Sequence, residues 1–124
     1  MNTKQQGDIG VAHAIYHYTL SGHAVSIPNT DNTRYDLILD KEGVLYRVQC
    51  KTTGRKTPLG LYRVEFRTRG GNQSWNGDSK LINVEETDLV WVSTLDREGY
   101  EFPIDAVAGL TSITLNNSCD KYRV

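Results

Sequence analysis

The sequence predicts a single α/β domain spanning residues 1–124: an N-terminal helix, a series of strands, and a short helix after the last strand. Three observations carry this expectation. A capping signal and a glycine stop bracket the first stretch as a helix. Runs with period-two alternation or continuous apolar character follow, each bounded by Gly, Pro, Asn or Asp. A length of 124 residues with 38% hydrophobic and 23% charged residues suits one soluble core that needs no staples.

The helix starts where Thr3 is followed three places on by Gln6, and Gly22 ends it. Ile9, Ala12, Tyr16 and Leu20 share one face, with Ile15 beside them, and this is the face expected to meet the core. Gly7, Asp8 and Gly10 are poor helix formers, and the glycines allow close approach by another backbone. Asp8 is the helix's one acid. His13 and His17 have the spacing of a zinc pair, but no third ligand is signalled and Ala14 stands where a zinc protease carries Glu. They are expected to be a surface or half-buried pair.

Residues 23–27 read as a short strand ended by Pro28, and 29–33 as a polar loop of turn formers. Residues 35–39 are apolar apart from Asp36, as in a central strand covered on both faces. Residues 40–43 form a hairpin turn, with Gly43 able to take positive φ, and 44–52 form the partner strand. On that strand Val44, Tyr46, Val48 and Cys50 share an apolar side, while Leu45, Arg47, Gln49 and Lys51 share the other. A basic loop, 53–60, leads to a third strand over 61–69, where Arg63, Glu65, Arg67 and Arg69 alternate with Tyr62, Val64 and Phe66. Residues 70–80 form a long loop around Trp75. Residues 88–95 read as a buried strand, and 100–104 as an edge strand because of Pro103. Asp105 is expected to cap a short helix over 106–110, and the tail after Asn116 shows no period.

Net charge is −1, yet seven of the fourteen basic residues lie between Arg47 and Arg69 against one acid, Glu65. From Glu85 to Asp105 seven acids face Arg97 alone. Such segregation implies one basic face on a near-neutral body, the footprint of a nucleic-acid partner. Two cysteines, Cys50 and Cys119, make no disulfide framework and are expected to be thiols. Neither a signal peptide nor a membrane span is visible, which makes the cytoplasm the default location.

The hairpin around residues 40–43 would bring Asp36, Gln49 and Lys51 to one end of a sheet. Asp36 can give a carboxylate oxygen to a hard cation, for which magnesium is the natural choice, and Gln49 and the Cys50 backbone carbonyl add neutral oxygens. Beside them Lys51 can assist deprotonation of a water or stabilise charge on a phosphate. This is chemistry suited to phosphodiester hydrolysis. Cys50 points into the core and is not expected to act as a nucleophile.

The helix with Gly7-Asp8-Ile9-Gly10, the strand with Arg34-Tyr35-Asp36-Leu37 and the strand running Tyr46 to Lys51 resemble the PD-(D/E)XK nuclease superfamily. Within it the chain is most similar to small homing endonucleases of cyanobacterial-type group I introns. The likeness runs from about Gly7 to Asp105. It implies a restriction-endonuclease-like mixed central β-sheet and a metal-dependent endonuclease cutting double-stranded DNA, with Mg2+ as cofactor and Mn2+ as a substitute. By the resemblance Asp36 is the metal-binding acid, Gln49 holds the usual acidic place of the second motif, and Lys51 is its lysine. The family's first-helix acid has no counterpart where Val11 stands, so Asp8 is the candidate replacement. Arg55, Lys56, Arg63, Arg67, Arg69, Gln73, Trp75 and Lys80 are expected against DNA. One small chain cannot cut both strands at once, so a homodimer or homotetramer is expected. A junction-resolving nuclease and a catalytically inert DNA-binding protein on the same fold are the alternatives.

Overall fold

A computed structural model describes residues 1–69 and 79–124. The chain runs α1 (Thr3–Leu20), β1 (Ala24–Ser26), β2 (Leu37–Lys41), β3 (Val44–Thr53), β4 (Arg63–Glu65), β5 (Arg67–Arg69) and β6 (Ser79–Leu81). It continues through β7 (Leu89–Thr94), β8 (Gly99–Pro103), α2 (Ile104–Val107), β9 (Ser112–Thr114) and a 3-10 helix over Asn117–Tyr122.

Helix α1 is capped one residue earlier than expected. Asn2 Oδ1 accepts from the Gln5 amide at 2.8 Å, and Gln5 Oε1 accepts from the Asn2 amide at 3.0 Å, a reciprocal box that Thr3 and Gln6 do not make. The buried face also differs from the expected one. Gly10, Ala14 and Tyr18, four apart, turn inward, whereas Ile9, Tyr16 and Leu20 are exposed. Close approach explains the choice. A Cβ on Gly10 would fall on Thr52 Oγ1, so only the glycine face lets the helix lie directly on β3. Gly7, by contrast, faces open space.

The central sheet has five strands in the order β1-β2-β3-β7-β8. β3 and β7 are parallel and the other neighbours antiparallel, so the sheet is mixed. The β2–β3 turn is formed by Glu42 and Gly43, at φ 55° and 87°, the two positive values of a type I′ hairpin. β8 is an edge strand that pairs only with β7 within the sheet, in keeping with Pro103 at its end.

Residues 61–69 do not form one strand of this sheet. They divide into β4, which pairs with β9, and β5, which pairs with β6. The alternation itself survives, with Val64 and Phe66 buried and Arg63, Glu65 and Arg67 exposed. Residues 55–63 are a hairpin rather than an open loop. The Arg63 amide bonds the Arg55 carbonyl at 2.9 Å, Lys56 bridges Tyr62, and the Thr57 amide bonds the Leu61 carbonyl at 2.7 Å. Asp105 does not cap the second helix: Pro103 holds the cap position, and Asp105 sits in the first turn.

Each face of the sheet has its own core. Ala14, Tyr18, Leu37, Leu39, Val48 and Trp91 gather under α1. Val64, Phe66, Ile82, Val90, Val92, Phe102, Val107 and Leu115 gather on the opposite face. β7 is therefore buried on both sides, which is why its sequence is continuously apolar. The tail closes the second core, with Tyr122 against Phe102 and the Val124 amide on the Gly99 carbonyl at 3.0 Å. Among the described residues no helix is long and apolar enough to cross a membrane.

Candidate active site

β2 and β3 separate at a defined point. Their last pair is Leu37 with Val48, after which the Asp36 amide still donates to the Val48 carbonyl at 2.8 Å. Beyond it the Asp36 carboxylate replaces the strand: Oδ2 accepts from the Cys50 amide at 2.7 Å. The main-chain groups of Val48 and Cys50 thus face β2, while those of Arg47 and Thr53 bond the Asp88 and Leu95 amides on the β7 side. By that alternation the Cys50 carbonyl is turned into the gap beside Asp36.

The side chains follow from the pleat. Gln49 and Lys51 pair with Val90 and Val92, whose side chains enter the core opposite α1. Asp36 precedes Leu37, whose side chain lies under α1, so Asp36 shares the face of Gln49 and Lys51. A cleft of about 220 Å³ opens at Asp36, walled by Ile27, Pro28, Thr30, Asp31, Thr33 and Tyr35. Residues 29–33, expected only as a connecting loop, form part of this wall. A run of turn formers directly before a strand-borne acid was the available signal.

Asp36 keeps exposed surface, yet the protein packed around its carboxyl pushes its pKa up, against the Cys50 amide and Lys51, which pull it back. Lys51 loses hydration too, which lowers its pKa, and the nearby Asp36 opposes the fall. Each group thus limits the cost of keeping the other charged. Burial, and then the Asp36 charge, push the Cys50 thiol well up, so it stays protonated at neutral pH.

Asp8 does not join this group. It is exposed on α1, which lies on the other face of the sheet, and it sits about 200° around the helix from Gly10. Val11 packs against the core under α1. Among the described residues no three His, Cys, Asp or Glu come together as a metal site. Of the two carboxylates expected at the site, the fold brings Asp36, and not Asp8, to the face of Gln49 and Lys51.

The family model of the PD-(D/E)XK endonucleases matches residues 1–121. The chain belongs to the PD-(D/E)XK endonuclease family. Its structure is similar to that of a bacterial homing endonuclease, I-Ssp6803I, with a TM-score of 0.82 at 26% identity, covering 99% of this chain and 89% of that one. A comparison with curated proteins finds no match.

In this PD-(D/E)XK endonuclease the basic residues divide by their partners. Arg47 is structural: its guanidinium holds Asp88 at 3.1 Å through two nitrogens and the Glu85 carbonyl at 2.6 Å, tying the approach to β7. Arg55 is exposed beside the 55–63 hairpin. Lys56 lies 3.8 Å from Asp96 and over the Tyr62 ring, and Arg63 contacts Glu65 at 3.8 Å and Ser112 at 3.1 Å. Arg67 is exposed on β5. Arg69 and Lys80 stand on adjacent strands, where Thr68 pairs with Lys80 and Arg69 with Ser79. Gln73 and Trp75 lie outside the described residues.

The histidine pair is half-buried. Ser93 Oγ accepts from Trp91 Nε1 at 2.7 Å, so its own hydrogen is free for His13 Nδ1 at 2.9 Å, and His17 tilts over the Trp91 ring. Both histidines fasten α1 to β7 and stand apart from the Asp36 gap.

Proposed function

We propose that this endonuclease hydrolyses phosphodiester bonds in double-stranded DNA with a divalent cation, magnesium or in its place manganese. The observation that carries this reading is the Asp36 carboxylate filling the gap between two strands, bound to the Cys50 amide and coupled to Lys51. One carboxylate oxygen is engaged by the Cys50 amide; the other, the Cys50 carbonyl and the Gln49 amide oxygen form a hard-oxygen donor set. That set fits a magnesium ion, which commonly takes one or two carboxylates and completes its sphere with water and substrate phosphate. A cation bound there supplies a more acidic water and neutralises charge on the phosphate. Lys51, poorly hydrated beside Asp36, either takes a proton from the attacking water or stays charged against the transition state. Arg55, Lys56, Arg63, Arg67, Arg69 and Lys80, with Gln73 and Trp75, are the proposed DNA contacts.

The likeness to a homing endonuclease supports a homing-type enzyme that breaks both strands. A chain with one such site needs a second copy to do so, hence a homodimer or homotetramer. The test is cleavage of linear duplex and of a four-way junction with magnesium, manganese or chelator, using wild type, Asp36→Ala and Lys51→Ala. Loss of cutting in both variants and with chelator is expected. Undiminished cutting by either variant removes that residue from the mechanism.

Among the described residues no three His, Cys, Asp or Glu gather as a metal site, and this favours one other reading, an inert DNA-binding protein on the same scaffold. In that case no preparation cuts DNA with either metal, while salt-dependent binding persists.

A further inference from the structure

Resting on the DNA reading above, we infer that Leu59 is a wedge that enters the minor groove and separates adjacent base pairs. β3 passes from Lys51 through Thr52 and Thr53 directly into the 55–63 hairpin, so the hairpin projects from the end of the sheet that carries the active-site lysine. The tip is built to hold one shape. The Gly60 amide bonds the Thr57 carbonyl at 2.9 Å, which places Pro58 and Leu59 at the two central positions of a β-turn. Pro58 presets the first of these, and Gly60, at φ 82°, supplies the left-handed residue that returns the chain to the Thr57–Leu61 pair.

Nothing in this turn calls for leucine at residue 59, a position that polar turn formers fill more readily. Leu59 is nonetheless 87% exposed, above every other exposed large apolar residue of the described chain, and it belongs to neither core. The arms carry Arg55 and Lys56 on one side and Arg63 on the other; Lys56 is shared with Asp96 and Arg63 with Glu65, both at 3.8 Å. The reach also fits. Four residues separate the Arg55–Arg63 rung from Leu59, about 13 Å of extended chain, against a minor groove roughly 7.5 Å deep. Arginines at the base can therefore sit on phosphates while the tip reaches the base pairs, and an apolar side chain inserted between base steps is an established way to kink a duplex. Because the hairpin continues directly from the strand that carries Lys51, a kink made at its tip also sets the approach of the backbone to Asp36.

The test uses a closed circular plasmid relaxed by a type I topoisomerase in calcium, which leaves the DNA uncut, with wild type, Leu59→Ala and Leu59→Met. Wild type and Leu59→Met are expected to shift the topoisomer distribution. Leu59→Ala, exposed and harmless to folding, loses the shift and binds duplex about tenfold more weakly, the order expected for one leucine no longer buried. Its salt dependence is unchanged, since the phosphate contacts remain. An equal shift by Leu59→Ala, or wild type that binds without any shift, overturns the wedge and leaves the nuclease reading standing. So does a change of assembly state in Leu59→Ala by sedimentation, which would assign the tip to a protein contact. Wild type that binds no DNA even at low salt overturns the functional reading, and the wedge falls with it.

Discussion

Replacing Gly10 by alanine tests whether one absent side chain sets the distance between α1 and the strand that carries Lys51. An added Cβ meets Thr52 Oγ1, whereas its next neighbours, Thr52 Cβ at 3.5 Å and the Lys51 carbonyl at 3.8 Å, are at ordinary contact distance. The conflict thus involves a single atom. Threonine is stiff at χ1 on a strand, and overpacking of this kind costs about 1–3 kcal/mol. Against it, alanine gains about 1 kcal/mol of helix propensity over glycine. Gly10→Ala should therefore be destabilising by roughly 0–2 kcal/mol, about 3–5 °C in Tm per kcal/mol for a chain of this size. In a Thr52→Ala background the obstructing oxygen is gone, and Gly10→Ala should stabilise by about 1 kcal/mol. Thr52 Oγ1 has no hydrogen-bond partner, so its removal sacrifices none. The four proteins form a double-mutant cycle read by urea denaturation with circular dichroism, with an expected coupling of about 1–3 kcal/mol. Equal stabilisation by Gly10→Ala in both backgrounds refutes the reasoning, because the helix would then not be seated on Thr52.

Burial lowers the pKa of both His13 and His17, so the unfolded chain binds more protons than the folded one as the pH falls through the ordinary histidine value. Stability should accordingly fall between about pH 7 and pH 5, and unfolding midpoints of a His13→Gln, His17→Gln double variant should show a shallower slope. Arg47→Ala removes the fork on Asp88 and the bond to the Glu85 carbonyl; a loss on the order of 1 kcal/mol is expected for these half-exposed bonds, with Arg47→Lys recovering little of it by thermal unfolding. Tyr18 donates to Glu101 Oε1 at 2.7 Å from a buried ring, so Tyr18→Phe should cost about 1–2 kcal/mol, and a Glu101→Gln variant should narrow that cost.

The hairpin that carries Asp36, Gln49 and Lys51 is the most legible part of the chain. Turn residues and a period-two pattern are local, and the register they impose carries Asp36 alongside the end of β3 without reference to anything distant. The mixed sheet came from the family resemblance and is what the structure shows. Hydrophobic periodicity points to Ile9, Tyr16 and Leu20 as the buried face of α1, whereas the sheet selects the glycine that allows contact. Alternation predicts one strand over residues 61–69 but reports only burial and says nothing about which strand is the partner, and the segment divides between β9 and β6.

The sequence by itself determined the elements that local chemistry can specify: a capped helix, a hairpin with Asp36, Gln49 and Lys51 in order along it, and a basic segment directly after. Only the tertiary structure decided that Asp36 ends the β2–β3 ladder by binding the Cys50 amide. It alone left Asp8 on the far side of the sheet and raised residues 55–63 into a closed hairpin tipped by Leu59. Those outcomes depend on where strands part and which faces meet, and both are fixed by contacts between residues far apart in the chain.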